Sequence, residues 1–440
     1  MSTLTESSLP LDRYIPSRPI DSDRVVHSFG KREYVRDDEL AATTPQDLYM
    51  DSLSQALWSQ NPRDSKVLHY KQAAPVCTGS LNSIRVVGSQ VHQQVGKVSS
   101  GRSRTIASVP EKILDAPDML DDFYLNPIDW SADNVLAVAL GNNLYLWNAN
   151  SGTISHLLET SKTDPICSVS WIKQGTGYLA VGTSDNTVQL WDVQSSTKLR
   201  EMNGHNDRVS SLSWNRHILS SGSRDGSIIN HDVRIAQHQV STLLGHTGEV
   251  CGLQWNPEGD VLASGANDNT VRLWNGSSMS TVTDSSMHTL AAHCAAVKAM
   301  AWSPRQRNLL ATGGGTADRT IRFWSAASGA CLNTVDTESQ VCSLLWAKNS
   351  PELISSHGFS RNQLTVWNYP SMTRQAELLG HSQRVLHMAM SPDGTTVCSA
   401  SGDETLRFWK VFETEEKSAR SKKQVETDMK NRKIKTSRIR

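Results

Sequence analysis

The chain has 440 residues, and its 44 basic and 44 acidic side chains cancel to a formal net charge of zero. That balance removes any global electrostatic argument for nucleic acid or an anionic membrane as partner, and the length admits one large domain with tails or two to three ordinary ones. No apolar run approaches the roughly 20 residues of a membrane span, and the Ser- and Thr-containing start lacks the basic-then-apolar pattern of a secretory leader. The seven cysteines (Cys77, Cys167, Cys251, Cys294, Cys331, Cys342 and Cys398) include no C-x-x-C pair. Several fall on apolar strands and read as reduced, buried thiols of a protein of the cytoplasm and nucleus. No ligand cluster has zinc spacing, and no cofactor is expected.

Residues 1–110 show no sustained periodicity and are rich in Ser, Asp, Gln and Pro. They read as a mostly disordered regulatory region, with one short helix expected over 46–58, where Leu48, Leu53, Leu57 and Trp58 share a face. From Lys112 onward two interleaved series set in. Trp130, Trp171, Trp214, Trp255, Trp302, Trp346 and Met390 each close a first strand, at steps of 41, 43, 41, 47, 44 and 44 residues. Trp147, Trp191, His231, Trp274, Trp324, Trp367 and Trp409 close a third. A period near 44 with Gly-His pairs at 204–205, 245–246 and 380–381, and a Trp-Asp at 191–192, reads as the WD repeat, one four-stranded blade each.

The expected fold is therefore all-β, a seven-bladed WD-repeat β-propeller over residues 111–412 with disordered N- and C-terminal tails. Blade seven has three strands of its own, and the charged chain after Phe412 offers no fourth. The missing strand is expected from before blade one, at 104–107 or 112–114. Residues 413–440 hold ten basic and five acidic side chains and read as a flexible tail, with a nuclear-import signal near 430–435 as one option.

His205 with Asp225, His246 with Asp268, His293 with Asp318 and His381 with Asp403 invite a hydrolase reading, each trio completed by Ser or Thr. Repetition argues against it, because an active site is usually unique. The trios read instead as buried chains in which the indole N–H donates to a hydroxyl, the hydroxyl to the imidazole and the imidazole to Asp. His231, in place of a Trp, is expected to weaken the chain in blade three. Gly313-Gly314-Gly315 lacks a following G-K-[ST] and reads as the turn between the second and third strands of blade five. On these grounds the chain is a binding platform and not an enzyme.

The ends and the seam carry a further resemblance. D-R-Y-I-P at 12–16, L-D-A-P at 114–117, D-D-F-Y-L-N at 121–126, G-D-E-T-L-R-F-W at 402–409 and the terminal Ile439-Arg440 resemble the Fizzy family, the WD-repeat coactivators of the anaphase-promoting complex ubiquitin ligase, and in particular its mitotic, cell-division-cycle-20-type branch. The resemblance implies that Asp12, Arg13, Tyr14, Ile15 and Pro16 form a C-box that docks on the ligase, and that Ile439 and Arg440 enter a second ligase groove. It implies that Lys66, Val67, Leu68, His69 and Tyr70 bind a mitotic checkpoint protein by strand addition.

Leu114, Asp115 and Glu404 would receive the R-x-x-L destruction box, since ring closure makes their regions neighbours. Asp122, Phe123, Asn267, Asn269, Thr316, Gln340 and Arg384 would receive K-E-N motifs, Asp122 pairing with the motif's Lys and Arg384 with its Glu. Phe123 stands where the family often has Tyr, and S-R-T-I-A at 103–107 departs from the family's C-R-Y-I-P. The implied partners are ligase subunits, substrates such as cyclins and securin, and checkpoint proteins. A Fizzy-related coactivator of late mitosis and interphase, and a WD-repeat scaffold unrelated to proteolysis, are the alternatives.

Overall fold

Each period of the sequence becomes one antiparallel four-stranded sheet because its strands are apolar on both faces and only a neighbouring sheet can cover them. The computed structural model describes residues 106–173, 177–276, 282–283 and 286–413. Within these residues seven sheets stand in sequence order. Their inner strands are Ile128–Trp130, Ile166–Trp171, Val209–Asn215, Val250–Trp255, Val297–Trp302, Val341–Trp346 and Val385–Met390. Each inner strand packs on the next, and the seventh returns to the first, which closes the ring. The disordered tails, the helix over 46–58 and the import signal fall outside the described residues.

Closure comes from the N-terminal side, as expected. Lys112–Asp115 adds to the outer edge of blade seven, antiparallel to Thr405–Lys410, with Lys112 opposite Phe408 and Asp115 opposite Thr405. Around this join the aromatic rings take over. Trp130 meets Phe408 edge-on at 5.6 Å, Trp147 lies 4.7 Å from the same ring, and the Lys112 ammonium sits 5.0 Å above Trp147.

The two tryptophan series hold different joints. From blade two onward first-strand indoles tie one blade to the blade before it: Trp171 donates to the Asp129 carbonyl at 3.2 Å, Trp214 to Ser170 at 3.0 Å, Trp302 to Gln254 at 3.0 Å and Trp346 to Ala301 at 3.1 Å, whereas Trp130 donates within its own blade, to Asn134 at 2.9 Å. Met390 has no N–H, and at that joint the Lys348 ammonium donates instead to the Pro392 carbonyl at 2.8 Å. Third-strand indoles work within a blade. In blade four Trp274 donates to Ser264 Oγ at 2.8 Å, Ser264 bonds His246 Nε2 at 2.7 Å, and His246 Nδ1 bonds Asp268 at 2.9 Å. Blade seven repeats this with Trp409, Ser399, His381 and Asp403, and blade five with Trp324, Thr312, His293 and Asp318. Burial alone would raise the Asp268 carboxyl, but the bonds from His246 and Thr270 hold it well below the usual carboxylate range.

Two expectations change. His231 keeps the chain in blade three connected where it was expected to weaken it. Its Nε2 lies 2.9 Å from Ser221 Oγ, where an indole would donate, and its Nδ1 lies 2.9 Å from His238 Nδ1. Blade six has its own version, in which Trp367 donates to Ser355 at 2.7 Å and His357, from the end of the second strand, bonds the same hydroxyl at 2.7 Å. Gly313 and Gly314 belong to the strand Leu309–Gly314 and not to a turn. A Cβ on Gly313 would stand 2.4 Å from Val341 Cγ1, and one on Gly314 would fill the place of the Asp318 carboxylate, so close packing calls for glycine at both. Among the cysteines, Cys294 is exposed and Cys331 half-buried, while Cys167, Cys251, Cys342 and Cys398 are core residues.

The 47-residue step between Trp255 and Trp302 has a structural counterpart. Val282–Thr283 leaves its own blade and pairs in parallel with the outer strand of blade three, Thr242 opposite Val282. Blade four is then completed by the short strand His288–Leu290.

Candidate peptide-binding site

The site is built on a feature of the inner strands. In blades two to seven each carries a β-bulge at its second residue: Cys167, Ser210, Cys251, Lys298, Cys342 and Leu386. A bulged residue drops out of the ladder and leaves its carbonyl free for another partner. Four of these carbonyls are satisfied by two side-chain-bearing residues at the axis. The Asn126 backbone N–H donates to Cys167 at 3.0 Å, and its side-chain amide donates to Ser210 at 2.6 Å and Cys251 at 3.0 Å. The Lys298 ammonium donates to Leu386 at 2.8 Å and to the Leu125 carbonyl at 2.7 Å. Residues 122–126 thus cross the mouth of the central channel and close it on one face. Beneath them lies a cavity of about 700 Å³ walled by the first-strand tryptophans.

The loops that enter the inner strands and the turns between second and third strands lie on the closed face. They carry every K-E-N candidate. Asn267 and Thr316 are exposed, Asn269 is half-buried, and Gln340 and Phe123 are buried, the latter beneath Tyr124 in an edge-on pair at 5.5 Å. The Tyr124 hydroxyl donates to Asn267 at 3.0 Å. Asn269 has a φ of +65°, a left-handed turn position at which Asn is favoured for backbone reasons alone.

Both charged candidates have partners within the chain. Asp122 accepts from Arg208 at 2.8 Å, and Arg208 is also forked onto Glu249 at 2.8 and 2.9 Å. Burial works against the Arg208 charge, and the Glu249 and Asp122 carboxylates overcome it and raise its pKa further. Two carboxylates against one guanidinium leave this corner one net negative charge, suited to a peptide Lys. Arg384 donates to the Asp121 side chain at 2.5 Å and to the Asp121 carbonyl at 2.7 Å, so a peptide Glu must compete with Asp121. Sequence reasoning passed over Arg208, Glu249, Asp121 and Tyr124. The one available signal was Glu249, a carboxylate directly before the largely apolar strand Val250–Trp255.

The second surface is the closing seam. The added strand puts Leu114 opposite Leu406 and Asp115 opposite Thr405, and Ala116 N–H donates to the Glu404 carbonyl at 2.8 Å. Asp115 and Glu404 are both exposed at this join, and Leu114 is half-buried, opposite Leu406 and packed against the apolar cluster under the seam. Glu404 has a φ of +59°, which costs a side chain other than Gly or Asn on the order of 1 kcal/mol. The remaining sequence candidates, Asp12, Arg13, Tyr14, Ile15, Pro16, Lys66, Val67, Leu68, His69, Tyr70, Ile439 and Arg440, lie outside the described residues.

A closed seven-bladed ring with a charged, plugged face and an acidic seam defines a WD-repeat propeller with two candidate peptide-binding surfaces. Residues 114–409 match the family model of the CDC20/Fizzy WD40 domain. The chain is 54% identical over 380 residues to the anaphase-promoting complex subunit cdc20 of Dictyostelium discoideum, covering 84% of this chain and 75% of that protein. It is 48% identical over 419 residues to cell division cycle 20.1, cofactor of APC complex, of Arabidopsis thaliana, covering 93% and 90%. A chain in the crystal structure of a mitotic checkpoint complex superposes with a TM-score of 0.68 at 47% identity, covering 80% of this chain and all (100%) of that one. The chain belongs to the CDC20/Fizzy family.

Proposed function

We propose that this chain is a substrate-recognition coactivator of the anaphase-promoting complex, not itself an enzyme, acting under spindle-checkpoint control in the cytoplasm and nucleus. Its family membership and the names of its relatives support the ligase and checkpoint partnership. The carrying observation for substrate recognition is the seam. A strand from before blade one sets Leu114 opposite Leu406 and Asp115 opposite Thr405, next to Glu404, which brings an apolar side chain and two exposed carboxylates to one seam. An R-x-x-L peptide presents a guanidinium and, three residues on, a leucine, the two groups that such a seam takes. The closed face, with its net negative corner at Asp122 and its guanidinium at Arg384, takes the Lys and Glu of a K-E-N motif.

In this reading residues 12–16 and the terminal Ile439-Arg440 tether the propeller to the ligase, residues 66–70 engage the checkpoint protein, and cyclin- and securin-like proteins are the substrates. Neither nucleic acid nor membrane has a part. The test is reconstituted ubiquitination of an R-x-x-L substrate. We expect Asp115→Ala to raise the substrate concentration needed, and deletion of Ile439-Arg440 to weaken ligase binding. Full activity in both variants would sink the site assignments. A peptide spanning residues 66–75 that fails to bind the checkpoint protein would move the chain to the late-mitotic and interphase branch.

A further inference from the structure

Lys298 breaks the pattern of the ring. The other five bulge residues are Cys167, Ser210, Cys251, Cys342 and Leu386, all uncharged, whereas Lys298 places an ammonium on the axis in an otherwise apolar strand. The residue is 4% exposed, and its charge is held by backbone carbonyls, with no carboxylate paired to it among the described residues. Its two acceptors belong to different segments. Leu125 lies on the plug that carries Asp121, Asp122 and Phe123, and Leu386 lies two residues beyond Arg384. The ammonium also stands 5.6 Å from the centre of the Phe123 ring. At the surface the same two segments are joined a second time, by Arg384 and Asp121.

We propose that Lys298 is a positioning residue for the closed-face peptide site, holding the plug and the Arg384 segment at a fixed separation. This rests on reading that face as the K-E-N site. A peptide carboxylate that engages Arg384 draws it from Asp121 and opens the surface tie. The buried tie then keeps Asp122 and Arg384 at the distance the motif requires. Removing the amine leaves two buried carbonyls without donors and releases Phe123 from beneath the site.

Burial lowers the Lys298 ammonium to about 8, against the nearby Cys342, Cys251 and Asp122. The thiols of Cys251 and Cys342 are themselves pushed up to about 12 by burial, and burial takes His387 down to about 3. Asp122 and Arg384 are the charged groups that act on it most strongly. The amine is therefore the group in this cluster that loses charge between pH 7 and 9.5, and its bonds to the carbonyls weaken as it does.

The experiment measures binding of an N-acetylated K-E-N peptide and of an R-x-x-L peptide to the full chain by fluorescence anisotropy, with thermal unfolding alongside. In Lys298→Met we expect about a tenfold or greater loss of K-E-N affinity, from two lost charge-assisted hydrogen bonds, with R-x-x-L affinity held within about twofold. Lys298→Gln keeps an N–H donor and should fall between. Wild-type K-E-N affinity should decline from pH 7 to 9.5, and the Met variant should lack that slope. Equal losses for both peptides, a Met variant that binds K-E-N as wild type does, or the same pH slope in both proteins overturns the role of Lys298. A wild-type chain that binds R-x-x-L but not K-E-N overturns the reading of the face, and this inference with it.

Discussion

Blades three and four solve one problem with different residues. Both must satisfy a buried Ser and a buried His where three strands meet. Blade four does so with the indole of Trp274, a donor with no acceptor, so the chain ends there. Blade three uses His231, which is fully buried in the sheet. With Nε2–H donating to Ser221 as the indole does, His231 is left with an acceptor at Nδ1 that Trp never has. His238 supplies the donor for it. What the fold demands is therefore a donor at the end of the third strand, and a histidine can fill the place when a second donor covers its other nitrogen.

That comparison can be broken in order of expected effect. Trp274→Ala should cost the most, about 3–5 kcal/mol, because it opens a cavity and removes the donor together. Chemical denaturation measures it, and a loss below about 1 kcal/mol would mean the indole is not what holds blade four. His231→Phe should cost about 1–3 kcal/mol by taking a donor from Ser221 and the acceptor from His238, whereas His231→Trp paired with His238→Leu should cost less, since the pair restores the arrangement of blade four. If the double variant is the worse of the two, the equivalence of the blades fails.

Acid should act on blade three before blade four. Burial, with the nearby His205 and His238, takes His231 down to about 3, below its ordinary value near 6.5. Its folded form binds fewer protons than its unfolded form, so the stability it contributes is complete above about pH 6.5 and is lost as pH falls toward 3. At pH 5 that loss is about 2 kcal/mol. His357, which burial takes down to about 4, adds to it in blade six. Asp268 in blade four is also depressed, but its contribution is lost only below the ordinary carboxylate range near 4. Thermal midpoints between pH 7 and 5 should thus fall in wild type and fall less in the His231→Trp, His238→Leu variant. The smallest effect is expected from His238→Ala alone, below about 1 kcal/mol, because His238 is half-buried and water can reach the nitrogen it leaves.

Much of this was legible from one dimension. The two tryptophan series repeat at the period of a blade, and the spacing of His246, Ser264, Asp268 and Trp274 puts them on the adjacent strands, turn and entering loop of one blade. Local contacts of that kind are written in the spacing. His357 escaped notice because it reaches the shared hydroxyl from the second strand and not from a Gly-His loop. At the candidate site, Leu114, Asp115 and Glu404 could be joined on paper only by assuming that the ring closes N-to-C. Asp122 was assigned to a peptide without its partner Arg208, which lies 86 residues away.

By itself the sequence determined an all-β chain of seven like units whose inner strands could not remain uncovered, and so a closed ring joined from the N-terminal side, at 104–107 or 112–114. That follows from period and hydrophobicity, which act locally and repeat. Only the tertiary structure decided that the bulge carbonyls converge on Asn126 and Lys298, that Val282–Thr283 crosses to the neighbouring blade, and that Asp121 and Arg208 already hold the charges a peptide would seek. Those contacts join residues tens to hundreds of positions apart. No local spacing encodes them, because they come into being when the ring brings seven different strands to one axis.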